Sequence, residues 1–156
     1  MVKVAVRSSG GYPTLELFAD LIDLLTLVAI TSALLIHVNR RGRITGHRIR
    51  GAIAAYLLLA GVFASAYQIV ERTVPGSFDI GHERTAPDGR QEELFYFAMI
   101  TLTTTGYGDI TPVSQPARSL AMLEALIGQL YPTILIARLV TLEIESRRDA
   151  ASDLSD

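Results

Sequence analysis

Residues 51–70, GAIAAYLLLAGVFASAYQIV, carry no charged side chain, and this run constrains the fold more than any other feature of the chain. An α-helix needs about 20 apolar residues to cross ~30 Å of hydrocarbon. Backbone in that medium has no water to bond, so the run must satisfy its own amides as a helix. Two further segments are long enough to join it. Residues 119–142 carry Glu124 and Arg138, so that helix should face protein or water on at least one side. Residues 24–36 are apolar, and a helix begun near Leu17 and ended at Val38 is long enough to span. The pattern predicts an all-α membrane protein with three transmembrane helices. Composition agrees, with 49% hydrophobic residues and a mean hydropathy of +0.33, both high for a water-soluble domain. Lys3 and Arg7 precede the first run, but Glu16, Asp20 and Asp23 interrupt its start, so a cleaved signal peptide is not expected.

Charge placement sets the topology. Arg40, Arg41, Arg43, Arg48 and Arg50 crowd into residues 39–50, between the first two spans. The positive-inside rule makes that loop cytoplasmic. A voltage sensor would need these arginines spaced through an apolar helix; grouped in a polar loop they mark topology, and they suit anionic lipid. Residues 71–90 hold Pro75, Gly76, Gly81, Pro87 and Gly89 and read as an irregular external segment. The expected orientation puts the N-terminus outside and the C-terminus in the cytoplasm, in a plasma membrane (the inner membrane if the cell is bacterial). Glu16, Asp20 and Asp23 fall on one helical face. They suit an acidic interfacial helix end, or a pairing of Asp20 or Asp23 with Arg72 near the outer end of the second helix.

Several function classes drop out. With no cysteine, disulfides, thiolate metal sites and cysteine nucleophiles are excluded. His37, His47 and His82 are scattered and no nucleophile sits with a base, so no catalytic site or enzyme activity is expected. The basic cluster has no groove-reading motif, so no nucleic-acid partner is expected. An active transporter would show paired repeats and discontinuous helices, and neither is visible.

Between the external segment and the last span lies a shorter apolar stretch. Asp88 and Gln91 have the spacing of a capping box, with Glu92 and Glu93 in the first turn. From Leu94 to Thr103 the chain is apolar and aromatic for only about three turns, too short to cross the bilayer. A helix that stops inside the membrane is tolerated only where the backbone leaving it is buried in protein or lines water.

That backbone reads Thr104, Thr105, Gly106, Tyr107, Gly108, Asp109. The run resembles the selectivity filter of the potassium channel pore-loop family, and the resemblance extends over residues 51–141. It implies an outer helix (51–70), an external loop (71–90), a pore helix (91–103), a filter (104–109) and an inner helix (117–142), following an extra helix and basic loop (1–50) and preceding a short cytoplasmic tail (143–156). It implies carbonyl rings from Thr104, Thr105, Gly106 and Tyr107 around dehydrated K+. Thr104 would add its hydroxyl, Gly108 and Asp109 would form the outer mouth, and Asp109 would hydrogen-bond behind the Tyr107 ring. One loop supplies a quarter of each ring, so a homotetramer in the lipid bilayer is implied, with K+ as the permeant ion and no cofactor. Arg118 and Gly128 fall where such channels often carry a basic residue and a hinge glycine. Two positions depart from the pattern. Thr105 replaces the usual valine or isoleucine, and Ile100 stands where some bacterial members have a carboxylate. The alternatives are a nonselective cation channel of the same build and a nonconducting regulatory subunit.

On the inner helix, Ala125, Gln129, Thr133, Ile136 and Val140 fall near one stripe, which makes them the expected cavity wall. Ile136 and Val140 suit an apolar gate. Pro132 lies one turn after Gly128, and the pair predicts a hinge. Glu124, on the opposite face, is expected to bond Tyr96 or Thr101 of a pore helix. Nothing in the tail suggests a nucleotide, calcium or voltage sensor.

Overall fold

The computed structural model describes residues 13–39, 46–81 and 89–152. They form helices α1 (Pro13–Asn39), α2 (Gly46–Thr73), α3 (Arg90–Leu102) and α4 (Gln115–Ser152), with strands β1 (Phe78–Ile80) and β2 (Ile110–Pro112) between them. Three stretches are long and apolar enough to cross a membrane: Leu15–His37, Ile49–Thr73 and Gln115–Thr141. With 13 residues, α3 is about 20 Å long and cannot cross. The fold is the all-α membrane architecture that the hydropathy pattern implies, with a small ribbon added.

Boundaries differ in physically sensible ways. The stretch 39–50, read as a loop, gives way to helix at Gly46, because no proline interrupts residues 46–50 and one glycine costs only about 1 kcal/mol. Arg48 and Arg50 therefore belong to the first turns of α2; Arg40, Arg41 and Arg43 lie outside the described residues. α4 likewise continues to Ser152 through Glu-Ser-Arg-Arg-Asp-Ala-Ala, a sequence with no glycine or proline to stop it. The expected cap residue Asp88 lies outside the described residues. α3 starts after Gly89, whose position makes no side-chain cap bond.

The core forms where α2, α3 and the ribbon meet. Ala60 and Ala64, one turn apart on α2, are buried with Phe97 and Ala98 of α3. Beside these small residues Tyr67, Phe78 and Phe97 pack edge to face, with centroids 5.1–5.4 Å apart, a geometry that aromatic quadrupoles favour. β1 and β2 pair antiparallel, with Asp79 opposite Thr111. The segment 71–90, read as wholly irregular, thus contributes a strand. Glu71 closes the turn before it, accepting bonds from the amides of Gly76 (3.1 Å) and Ser77 (2.9 Å) and pairing with Arg90 at 3.3 Å.

α1 lies along α2. Arg72 pairs with Glu16 and, at 2.6 Å, with Asp20. One arm of the expected pairing is therefore present, and Glu16 joins it.

Candidate ion-conducting site

The end of α3 explains the shape of the loop that follows. The last carbonyls of a helix lack intrahelical donors and need partners. Here the chain folds back on them: Thr103 N–H donates to Met99 O (3.1 Å), Thr104 N–H to Thr101 O (3.0 Å), and both Thr105 N–H (2.9 Å) and Gly106 N–H (3.1 Å) to Ile100 O. All described peptides are trans, so each carbonyl points opposite to the N–H of the following residue. The N–H groups of Thr105 and Gly106 face α3. The carbonyls of Thr104 and Thr105 must therefore face away from it.

Backbone hand sustains the pattern. Thr104, Gly106 and Gly108 have φ of +58°, +53° and +80°, whereas Thr105 and Tyr107 are not among the positive-φ residues. Alternating left- and right-handed residues gather successive N–H groups on one side of a strand, leaving carbonyls on the other. Glycine adopts the left-handed state at little steric cost. Thr104, β-branched, does not, and a residue held there is strained in the way functional backbone often is. Residues 103–109 are all exposed on the single chain, Tyr107 by 72%.

Side chains anchor both ends of the loop. At its start the Thr103 hydroxyl donates to Met99 O (2.7 Å) and sits 3.0 Å from the Thr105 hydroxyl, which places the unusual threonine in a polar pair. At its far end Asp109 accepts from the Tyr96 hydroxyl (2.8 Å) and from Ile110 N–H (3.1 Å). The bond to Asp109 raises the Tyr96 hydroxyl pKa above its ordinary value. Gly81 N–H donates to Asp109 O at 3.4 Å. Arg118 Nε donates to Pro112 O at 3.1 Å, joining the start of α4 to β2.

On α4, Gln129, Thr133, Ile136 and Val140 are exposed, and Ala125 is half-buried. They lie on the side away from Glu124 and Gly128, which are buried. The Glu124 partner is Tyr67 of α2, whose hydroxyl donates to Oε2 at 2.5 Å. The expected bond to Tyr96 or Thr101 is not made, because Glu124 turns toward the outer helix while Tyr96 is occupied by Asp109. Gly128 packs where α3 ends: a Cβ there would sit 2.0 Å from Leu102 O. Pro132 lies within unbroken helix, and its missing N–H is the one that would have bonded the Gly128 carbonyl. Sequence reasoning overlooks Tyr56, whose hydroxyl donates to Leu102 O at 2.8 Å. A phenol within an uncharged run was its one signal.

A re-entrant helix followed by a loop with carbonyls turned to one side, set between two membrane-spanning helices, defines the pore-loop class of channels. The model of the Ion channel family matches residues 53–145, and the chain belongs to that family. Protein LctB of Bacillus caldotenax is 27% identical over 125 residues, covering 79% of this chain and 92% of LctB. The inward rectifier potassium channel Kirbac3.1 of Paramagnetospirillum magnetotacticum is 34% identical over 79 residues, 48% of this chain and 22% of that one. Two pore potassium channel c of Oryza sativa subsp. japonica is 33% identical over 89 residues, 57% of this chain and 17% of that one. The chain thus spans less than a quarter of either potassium channel's length. No solved structure matches.

Proposed function

We propose that the protein conducts K+ passively across a cell membrane as a homotetramer, with the ion held by carbonyls of Thr104, Thr105, Gly106 and Tyr107. The observation that carries this reading is the pair of hydrogen bonds that the Thr105 and Gly106 N–H groups donate to the Ile100 carbonyl. It commits the amides to the protein and leaves the carbonyls for a cation. A single chain offers one oxygen per level, and a dehydrated K+ needs a ring of them; four copies around an axis supply it. Tetrameric association would also bring the exposed loop and the stripe Gln129, Thr133, Ile136 and Val140 to the axis, with Ile136 and Val140 as the narrow apolar part. Gly128 and Pro132 would let α4 bend. The arginine cluster favours a cytoplasmic position for residues 39–50, an external N-terminus and a cytoplasmic C-terminus.

A nonselective cation pore is the second reading, favoured by the hydroxyl pair of Thr103 and Thr105, which puts polar atoms where the family usually has a hydrocarbon side chain. Flux from proteoliposomes separates the two. K+ efflux with little Na+ efflux supports the first, equal fluxes the second, and a purified, assembled protein that passes neither ion points to a nonconducting subunit. Loss of flux in Gly106→Ala ties conduction to the filter.

A further inference from the structure

Three of the last four carbonyls of α3 are bonded by the chain that follows: Met99 by Thr103, Ile100 by Thr105 and Gly106, and Thr101 by Thr104. The fourth, Leu102, stands immediately before that chain and is bonded from another helix. Its donor is the Tyr56 hydroxyl of α2, at 2.8 Å. The backbone of Gly128 also comes so near that even a methyl group would collide with Leu102 O. The Tyr56 ring is stacked on Tyr131 of α4, with centroids 5.6 Å apart and planes 21° apart. The Tyr131 hydroxyl in turn donates to Ala52 O of α2 at 2.8 Å. Tyr131 directly precedes Pro132, so it rides on the part of α4 whose helical bonding the proline interrupts.

We propose that Tyr56 and Tyr131 act together as a positioning latch: stacked rings carry the stance of α4 at Tyr131 to the Leu102 carbonyl, and so set the conducting shape of residues 103–106. Each link is a short, directional contact. Tyr131 is fixed to α2 by its own hydroxyl, its ring fixes the rotamer of Tyr56, and the Tyr56 hydroxyl holds the peptide between Leu102 and Thr103. A shift of α4 at Tyr131 moves the Tyr56 ring. That weakens the bond to Leu102 O and loosens the Leu102–Thr103 peptide, which leads through Thr103 to the strained Thr104. Neither tyrosine touches the ion; both act through the backbone of the loop. The reading rests on conduction through residues 104–107, as proposed above.

The test is single-channel recording in planar bilayers from purified wild-type, Tyr56→Phe, Tyr131→Phe and doubly substituted protein. The phenylalanine variants keep the ring stack and remove only the hydroxyls. Wild-type conduction establishes the parent reading, and its absence defeats that reading before the latch is addressed. Given a conducting wild type, Tyr56→Phe is expected to shorten the open bursts about tenfold, the scale of one hydrogen bond. Raising K+ should lengthen them again, because an ion bound only by the conducting shape stabilises it. A residue needed only for assembly would lower channel number without a K+-dependent burst length. Tyr131→Phe should act in the same direction, and the double variant should match Tyr56→Phe instead of multiplying the two effects. Unchanged bursts in Tyr56→Phe, or independent effects of the two substitutions, overturn the latch. If Tyr56→Phe fails to assemble, unchanged bursts in Tyr131→Phe overturn it and K+-dependent shortening there upholds it.

Discussion

The Tyr67 hydroxyl donates to Glu124 Oε2 at 2.5 Å, across the interior between the outer and inner helices. Glu124 has no exposed surface, and its Oε1 has no hydrogen-bond partner among the described residues. Removing the donor with Tyr67→Phe strips the carboxyl of its bond and should cost about 1–3 kcal/mol per chain. Glu124→Gln keeps an oxygen that can accept from Tyr67 and should cost less than about 1 kcal/mol. Thermal dissociation of the detergent-solubilised assembly ranks the variants. Equal midpoints for Tyr67→Phe and wild type would show that the bond contributes nothing.

Gly128 and Gly61 make a matched pair. A Cβ at Gly128 would meet Leu102 O at 2.0 Å and Leu102 C at 2.8 Å, whereas at Gly61 its nearest neighbour is Leu27 Cδ1 at 3.9 Å. Gly128→Ala should force α3 and α4 apart at a cost of about 1–3 kcal/mol or more, with loss of conduction. Gly61→Ala should leave both assembly and flux intact. Size-exclusion profiles and K+ flux read both variants, and normal flux in Gly128→Ala would mean the close packing is dispensable.

Two other glycines separate backbone strain from location. Gly106 and Gly76 have φ of +53° and +81° with open space around the missing Cβ. Alanine at either position should cost about 1–2 kcal/mol through the left-handed backbone alone. Only Gly106→Ala should abolish K+ flux, since only Gly106 lies in the loop of aligned carbonyls. Comparable loss in Gly76→Ala would move the cause from the filter to general stability.

Arg72 joins α1 to α2 through Glu16 and Asp20, whose side chains are 42% and 3% exposed. Glu16→Ala should cost about 1 kcal/mol or less, as exposed pairs do. Arg72→Ala should cost more, because it also removes a cation from the buried Asp20. Arg72→Asp should weaken assembly, and adding Asp20→Arg should restore part of it. No recovery in the double swap, judged by yield of assembled protein, would count against the pair as a helix-docking contact.

What the sequence disclosed follows the range of each physical signal. Hydropathy over twenty residues reveals a spanning helix, and the run from Thr104 to Asp109 reveals the resemblance to a filter, because both signals are local. The partner of Glu124 is a different matter. Tyr67, Tyr96 and Thr101 can all donate a hydrogen bond, and only packing decides that Tyr67 meets the carboxyl while Tyr96 reaches Asp109. The ribbon was hidden for the same reason. Phe-Asp-Ile and Ile-Thr-Pro are too short for a periodic pattern, and they pair across the whole of residues 81–109. Gly128 was legible as a place where a helix can bend, but the carbonyl pressed against it was not.

The ribbon has a practical consequence. Asp109 O holds Gly81 N–H, Ser77 O holds Val113 N–H at 2.7 Å, and Glu71 reaches Arg90 at the head of α3. The chain on either side of residues 82–88 is thus moored independently of those residues. Length added there enlarges a closed detour whose entropic cost grows only about 0.6 kcal/mol per doubling. An epitope or fluorophore inserted between positions 82 and 88 would hang from a fixed frame, giving a handle on the protein that leaves residues 103–109 untouched.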